Sequence, residues 1–401
     1  MTIGCPECGA LDEIPPLGSR TIALCPICRS PLERTAGRSL GAALACAVAT
    51  FILLIPANLL PLMTVNMLGN ARTSVLASGI GALWGEGYAI VAVLLGAFGI
   101  AFPLVRFGGL SLVLGAILFG ERPRWLGPLY RWVMELDLWA MPDVFLIGFF
   151  IGYSRVSQSL HVTIGLGGLC FILAALLTML TRACLDRRSI WRAIAPERDA
   201  PPTIAAISCT ACDLAAPASE EGRPCPRCGL TLRSRKRDAM VRAAALSLAA
   251  LVLYFPANLY PMSEDWQAGK LVTHRIIDGV RELFEAGLWP FAILIIGTSI
   301  VIPMVKILGM GWFVISAKRQ SRRFLRLRTR LYRLIDELGR WSNVDVFTII
   351  VFVPLLQFTP LTSSRAAPGA TAFTLVVFFT MLASRFFDPR LMWDAAKEAG
   401  E

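Results

Sequence analysis

The chain has 401 residues, 55% of them hydrophobic and only 17% charged, and a soluble domain carries about 25% charged residues, so a purely water-exposed globule is excluded. The net charge of +11 would suit nucleic acid. Its basic residues, however, cluster in gaps between apolar runs, as orientation signals of a membrane protein do.

In chain order, the first element is "CPECGALDEIPPLGSRTIALCPIC", which places Cys5, Cys8, Cys25 and Cys28 as CxxC-x16-CxxC. Two residues between cysteines let one tight knuckle aim both thiolates at a single ion, and two knuckles complete a tetrahedral Zn²⁺ site. Gly9 follows its knuckle, where a turn can use positive φ. Residues 1–35 therefore read as an N-terminal zinc ribbon. The stretch before Cys5 has neither the basic nor the apolar region of a secretory signal.

Residues 36–195 read as a first transmembrane repeat, with spans at about 40–60, 89–119, 141–158 and 162–181. Span one ends in "LIPANLLPLM", with Pro56, Asn58 and Pro61. Pro56 removes a backbone donor, Asn58 is expected to bond a freed carbonyl, and Pro61 stops the helix. Span two holds "FPLVRFGGL", where Pro103 should kink the helix and Arg106 places a charge inside a span. Asp143 follows Pro142 at the start of span three, and Thr178 sits in span four.

Residues 196–235 read as a second ribbon, Cys209, Cys212, Cys225 and Cys228 standing as CxxC-x12-CxxC after the linker "APERDAPPT". Redox-active dithiols are the alternative for both cysteine sets, and disulfides a weaker one. Cys46, Cys170 and Cys184 stand alone and read as small buried hydrophobes. Residues 236–401 read as a second transmembrane repeat, with spans at about 243–261, 288–316, 344–360 and 370–385. They repeat the first set: Pro256, Asn258 and Pro261 lie 200 residues after Pro56, Asn58 and Pro61. "IPMVKILGM" sets Lys306 against Arg106, while "RWSNVDVF" and "TMLASRFFDPRLMW" set Asp345 and Thr380 against Asp143 and Thr178, offset by 202.

The halves read as copies. The expected fold is an all-α polytopic membrane protein of two tandem four-helix repeats, eight spans in all, each repeat preceded by a zinc ribbon. Nine Lys or Arg between 317 and 342, against Arg72 alone in 61–88, put both termini and both ribbons in the cytoplasm. Four spans per copy relate the copies by an axis along the membrane normal.

Arg106 and Lys306 are either functional cations partnered by Asp143 and Asp345, or long side chains that reach the interface. The two aspartates are equally well read as helix starts, Ser342 and Asp345 resembling a capping box. With two histidines in the chain, and neither near a Ser or Cys motif, hydrolase or transferase chemistry is not expected. No G-x-x-x-x-G-K-[ST] sequence is present, so no ATP engine is evident.

Paired CxxC ribbons, each ahead of four spans with PANLxPxM, and the "SRFFDPRLMWD" ending resemble the paraquat-inducible protein A family across nearly the whole chain. The resemblance implies an inner-membrane protein of a Gram-negative bacterium that is not an enzyme. It would work with a periplasmic tunnel built of MCE domains and pass phospholipid between that membrane and the tunnel. It also implies a polar cluster in the membrane core, coupled to an ion such as the proton, onto which Arg106, Asp143, Lys306 and Asp345 map. Leu138 and Ala140 make the first copy less polar than "RWSNVD", so the second copy should carry more of the coupling. Transport of a small amphipathic or toxic molecule, and a non-transporting anchor for the tunnel, remain as alternatives.

Overall fold

A computed structural model describes residues 2–14, 18, 20–35, 39–67, 70–157, 161–195, 206–267, 270–344, 347 and 362–398. The N-terminal unit is two hairpins, β1 (Thr2–Gly4) with β2 (Leu11–Glu13) and β3 (Ile22–Leu24) with β4 (Pro31–Arg34). The first membrane half follows: α1 (Leu40–Leu59), β5 (Met63–Met67), β6 (Asn70–Ser74), α2 (Leu76–Gly85), α3 (Ala89–Leu118), α4 (Leu126–Leu136), α5 (Pro142–Val156), β7 (His161–Ile164), α6 (Leu166–Cys184) and α7 (Arg187–Ile194). A third hairpin, β8 (Ala206–Ser208) with β9 (Ala215–Pro217), opens the second cysteine unit. The second half repeats the order in α8 (Ala239–Leu259), β10 (Ser263–Gln267), β11 (Lys270–His274), α9 (Ile276–Glu285), α10 (Trp289–Lys318), α11 (Leu325–Leu338), β12 (Thr362–Ala366), α12 (Pro368–Phe386) and α13 (Arg390–Glu398).

Six described helices, α1, α3, α6, α8, α10 and α12, are long and apolar enough to cross a membrane. The expected third span is shorter than read: α5 has 15 residues, a length of about 22 Å against a hydrocarbon core of about 30 Å. Its counterpart at 344–360 lies outside the described residues except for Val344 and Phe347. The fourth span was placed too early. Residues 161–164 form β7, and the helix begins at Leu166.

These strands belong to two small antiparallel sheets, in the orders β6-β5-β7 and β11-β10-β12. Met63 pairs with both Ser74 and Ile164, and Ser263 with both His274 and Ala366. Each sheet ties the segment after the first helix of its half to the segment before the last. By sequence, β5 and β6 fall in a short outer gap and β7 at the start of the fourth span, although "MTVNM" and "HVTI" carry the β-branched alternation of strands.

The doubled PANLxP phrase has a structural use. Helix α1 starts on Ser39, whose Oγ accepts from Ala42 N at 3.2 Å. It stops at Leu60, which is extended (φ −94°, ψ 158°) as a residue before proline prefers. The carbonyls exposed there seat the start of α6: Gly165 N donates to Leu62 O at 2.9 Å, and a Cβ on Gly167 would run into Leu60 O. Gly369 N donates to Pro261 O at 2.9 Å in the same way. Asn58 Nδ2 donates to Leu54 O at 2.6 Å, and Asn258 Nδ2 to Tyr254 O at 2.8 Å. Those carbonyls lie four residues before each Asn, so they are not the carbonyls, four residues before each Pro, that proline leaves without a donor.

Pro103 and Pro303 likewise do not break their helices. Each follows a π-helical turn, Ala97–Ala101 in α3 and Ile296–Val301 in α10, whose wider ring makes room for proline without ending the span. Helices α1 and α6 pack together in the first half, and α8 and α12 in the second. The halves meet where Phe145 and Phe347, 202 positions apart, stand edge to face at 5.2 Å. Asn343 Nδ2 donates to Met141 Sδ at 3.3 Å beside them.

Candidate functional site

The four cysteine knuckles share one hydrogen-bond pattern. Gly9, Arg29, Asp213 and Gly229 each donate to the carbonyl of the first cysteine of their knuckle, at 2.8–3.1 Å. All four take positive φ, between 57° and 73°, and glycine adopts that conformation without a Cβ penalty at Gly9 and Gly229. Cys5, Cys8, Cys25 and Cys28 are buried, as are Cys209, Cys212, Cys225 and Cys228, and within each set the sulfur atoms lie within 4.8 Å of one another. Cross-knuckle Sγ pairs stand 3.5 and 3.6 Å apart in both sets. Four thiolates at about 2.3 Å from a tetrahedral zinc are roughly 3.8 Å apart, so the donor sets fit such an ion with little movement. Of the remaining cysteines, Cys184 is buried, while Cys46 and Cys170 are only half-buried.

The ribbons dock crosswise. The second ribbon sits on the first half, with Arg131 donating to Cys228 O at 3.0 Å and Arg227 to Ala195 O at 2.8 Å. Its cysteines share a core with Leu126, Tyr130 and Trp191. The first ribbon meets the second half, where Arg390 Nε donates to Pro6 O at 3.2 Å and Arg326 Nε to Ile27 O at 3.0 Å. It also touches α7, whose Arg192 pairs with Glu33.

Inside the membrane halves, Arg106 and Lys306 are each 1% exposed and Asp143 is 3% exposed, so neither cation reaches out to an interface. Arg106 is not held by Asp143. It pairs with Asp137 at the end of α4. Arg182, in the last turn of α6, bridges Asp137 at 3.0 Å and Asp143 at 2.5 Å. Arg340 of the other half approaches Asp143 at 3.9 Å. The first half is thus closed by a network of alternating charges, and its binding partners (Asp137, Arg182, Arg340) went unread in the sequence.

The second half keeps the cation, and among the described residues no matching network surrounds it. Gly339 stands where the first half has Asp137, and Ser384 where it has Arg182. Lys306 Nζ has no hydrogen-bond partner among the described residues; a Cβ on Gly339 would lie 3.1 Å from it. Asp345 lies outside the described residues. Thr298, Ser299, Ser342, Asn343 and Thr374 are buried in this half, where the first half has Phe98, Gly99, Ala140, Met141 and Ile172. Ser342 Oγ is also unpartnered among the described residues. Thr178 and Thr380 bond their own helix carbonyls, Ala174 and Val377, both at 2.9 Å. The aligned substitutions Asp137/Gly339 and Arg182/Ser384 are the signal that could have located this difference.

Between the halves, Trp84, Ile90, Val93, Leu94, Leu375 and Phe378 line an almost wholly apolar cleft of 340 Å³. Six helices long and apolar enough to span, two four-cysteine centres that can each hold a metal ion, buried polar side chains around Lys306 and an apolar cleft define a multi-pass helical membrane protein without an evident catalytic constellation among the described residues.

The sequence model of the family described as Paraquat-inducible protein A matches residues 40–195 and again 240–397, and the chain belongs to this family. It is 31% identical to the intermembrane transport protein PqiA of Escherichia coli K12, over 98% of this chain and 96% of that protein. It is 30% identical to the lipophilic envelope-spanning tunnel protein A of the same organism, over 98% and 91%. A probable intermembrane transport protein of Haemophilus influenzae is 27% identical over 97% and 95%. No solved structure matches the chain significantly.

Proposed function

We propose that this chain is the inner-membrane subunit of an intermembrane lipid transport system, passing phospholipid between that membrane and a periplasmic tunnel of MCE domains. The names of its relatives, intermembrane transport protein and envelope-spanning tunnel protein, support a transport role. The observation that carries the reading is Lys306, a buried cation without a described partner among buried hydroxyls and an amide. Intramembrane charges are expensive, and one left unpaired is suited to exchange a proton or another ion during transport. In this reading Lys306 and Asp345 couple the ion, Thr380 lines their path, and Arg106 and Asp143 serve the first half. The apolar cleft between the halves suits an acyl chain. The organisation is an eight-span duplicated core: ribbon 1–35, repeat 36–195, ribbon 196–235 and repeat 236–401. The proposed ribbons are cytoplasmic and each holds a structural Zn²⁺. A closed four-thiolate shell leaves no position for substrate, so the metal supplies folding energy and no reaction step.

The test is transfer of a fluorescent phospholipid from proteoliposomes containing the chain to its MCE partner, with and without a pH gradient. Gradient-dependent transfer that is lost in Lys306→Ala and Asp345→Asn, at normal protein levels, is expected. Gradient-independent transfer by both variants would remove the coupling role. Efflux of small amphipathic dyes without lipid transfer would favour the alternative cargo, and activity in neither assay the anchor.

A further inference from the structure

Where the two ribbons meet the membrane helices, the chain forms a half-open cavity of 790 Å³ that the proposed coupling site does not use. Its walls come from every part of the molecule: both ribbons, α4 of the first half, α11, α12 and α13 of the second, and the connector before α8. Nine of the lining residues are Arg or Lys against five Asp or Glu, a surplus of four positive charges.

Three of those nine charges are answered by a carboxylate, and six have no ion pair among the described residues. Arg131, Arg187 and Arg390 spend hydrogen bonds on the carbonyls of Cys228, Ala211 and Pro6. Lys236 Nζ donates to the carbonyls of Arg385 and Phe387, at 2.8 and 3.0 Å, at the end of α12. Carbonyls satisfy donors but leave the positive charge in place. Arg235 is held bidentately by Asp394, and Arg237 and Arg242 pair with Asp238 at 3.4 and 4.0 Å. Arg233 and Arg385, both solvent-exposed at the mouth, have no ion pair or side-chain hydrogen bond among the described residues. Like charges gathered in a partly enclosed space repel, and a bound anion offsets that cost.

The other end of the cavity is apolar, walled by Trp139, Leu382 and Phe386. Trp139 stacks on Phe98 at 5.4 Å and packs against Phe378 at 5.7 Å, which carries this wall between the membrane halves. Arg242 lies 5.6 Å over the Phe386 ring and its side chain is 49% exposed, so charge and apolar surface meet at the rim. Guanidinium groups match phosphate oxygens in a planar, two-bond geometry. The volume is that of an ordinary small-molecule site.

We propose that this chamber binds a phosphate-bearing ligand, its anion seated among Arg233, Arg385 and Lys236 and any apolar part lying on Trp139 and Phe386. The phosphate arrives either on a lipid headgroup of the ribbon-side leaflet or on a free phosphate compound. A ligand there touches both ribbons and both halves, so it strengthens their crosswise docking. The proposal does not rest on the transport reading, because binding is measured at equilibrium with no partner present.

The experiment uses the full-length protein in neutral detergent, with its metal content verified. Binding is followed by native mass spectrometry and by the melting midpoint, with dioleoyl phosphatidylglycerol, dioleoyl phosphatidylcholine, glycerol phosphate and inorganic phosphate as probes. The variants are R233E/R385E and the charge-preserving R233K/R385K. Phosphatidylglycerol is expected to bind and to raise the midpoint. Affinity should fall about tenfold or more in the glutamate pair, since each charge-assisted bond is worth more than 1 kcal/mol, and return largely in the lysine pair. Equal gains from glycerol phosphate or inorganic phosphate, lost in the glutamate pair, would support the site and identify a free phosphate as its source. Equal binding of phosphatidylglycerol by wild type and the glutamate pair would overturn the proposal, as would a wild type to which none of the phosphates binds. If the glutamate pair loses metal, single Arg385→Gln takes its place, with a smaller loss expected and unchanged binding overturning the proposal.

Discussion

The two membrane halves place a cation at the same point of the same helix and then treat it in opposite ways. In the first, Arg106, Asp137, Arg182 and Asp143 alternate in sign and neutralise one another. In the second, glycine and serine replace Asp137 and Arg182, and Lys306 is left without a described partner. A buried charge that is paired holds structure together, whereas one left alone costs stability and is retained for another reason. In the proposed transport reading this difference divides the work: the first half would be the scaffold, and the second would carry the titratable chemistry.

The largest effect should come from breaking the four-cysteine centre that docks on the first half. The cysteines of the second ribbon belong to the core that contains Tyr130 and Trp191, whereas the first ribbon forms a small cluster joined chiefly by Trp393. Cys225→Ser with Cys228→Ser should abolish accumulation of folded protein, and Cys5→Ser with Cys8→Ser should reduce it less. Metal analysis and size-exclusion profiles of the two variants check this order.

The second test sets the two cations against each other. Arg106→Ala leaves Asp137 with Arg182 as its partner and should cost about 2–3 kcal/mol, below the usual 3–5 kcal/mol for breaking a buried pair. Lys306→Ala should leave the melting midpoint unchanged or raise it, yet abolish transport. A larger stability loss for Lys306→Ala than for Arg106→Ala would reverse the division of labour.

A third variant converts one half into the other. Gly339→Asp supplies the carboxylate that Asp137 provides to Arg106, and among the described residues a Cβ there would meet the Nζ and Cε of Lys306. The variant should be as stable as wild type or more so, and inactive. Activity retained at the wild-type level would show that pairing Lys306 does not matter.

The smallest effect separates the two sheets. Nδ1 of His274 lies 2.8 Å from Glu282 and Nε2 lies 3.3 Å from Asp265, while the corresponding positions of the first half are Ser74, Ala82 and Val65. Asp265 and then Glu282 raise the His274 pKa above its ordinary 6.5, against the opposing effect of burial. A raised folded-state pKa contributes stability that is fully present below pH 6.5 and is lost as pH rises through the folded value. Amide exchange in β10 and β11 should therefore quicken, relative to β5 and β6, as pH rises above 6.5. His274→Gln should remove the difference, and equal pH profiles in the two sheets would dismiss it.

Much of this could be read from the residues in order. The CxxC spacings gave the ribbons, because two thiolates on one knuckle can only converge over a short range. The apolar runs gave six of the spans, because a helix in lipid must be apolar along its whole length. The recurrence of Pro56, Asn58 and Pro61 as Pro256, Asn258 and Pro261 pointed to two similar halves. The sheets escaped because their strands pair across about a hundred residues, Met63 with Ile164 and Ser263 with Ala366, and no local pattern carries a long-range register.

What the linear sequence determined about this protein is which groups must leave water and which sulfurs converge into centres able to hold an ion. Both follow from short-range chemistry. Which carboxylate meets Arg106 was decided only by tertiary structure, because Asp137 reaches it from another helix, while glycine at 339 offers Lys306 no carboxylate there. The crosswise docking of the ribbons was decided there too. Each ribbon precedes one half in the chain, but the arginines that bond Cys228 and Pro6 come from the other half of each pair, at Arg131 and Arg390, where the folded surfaces happen to meet.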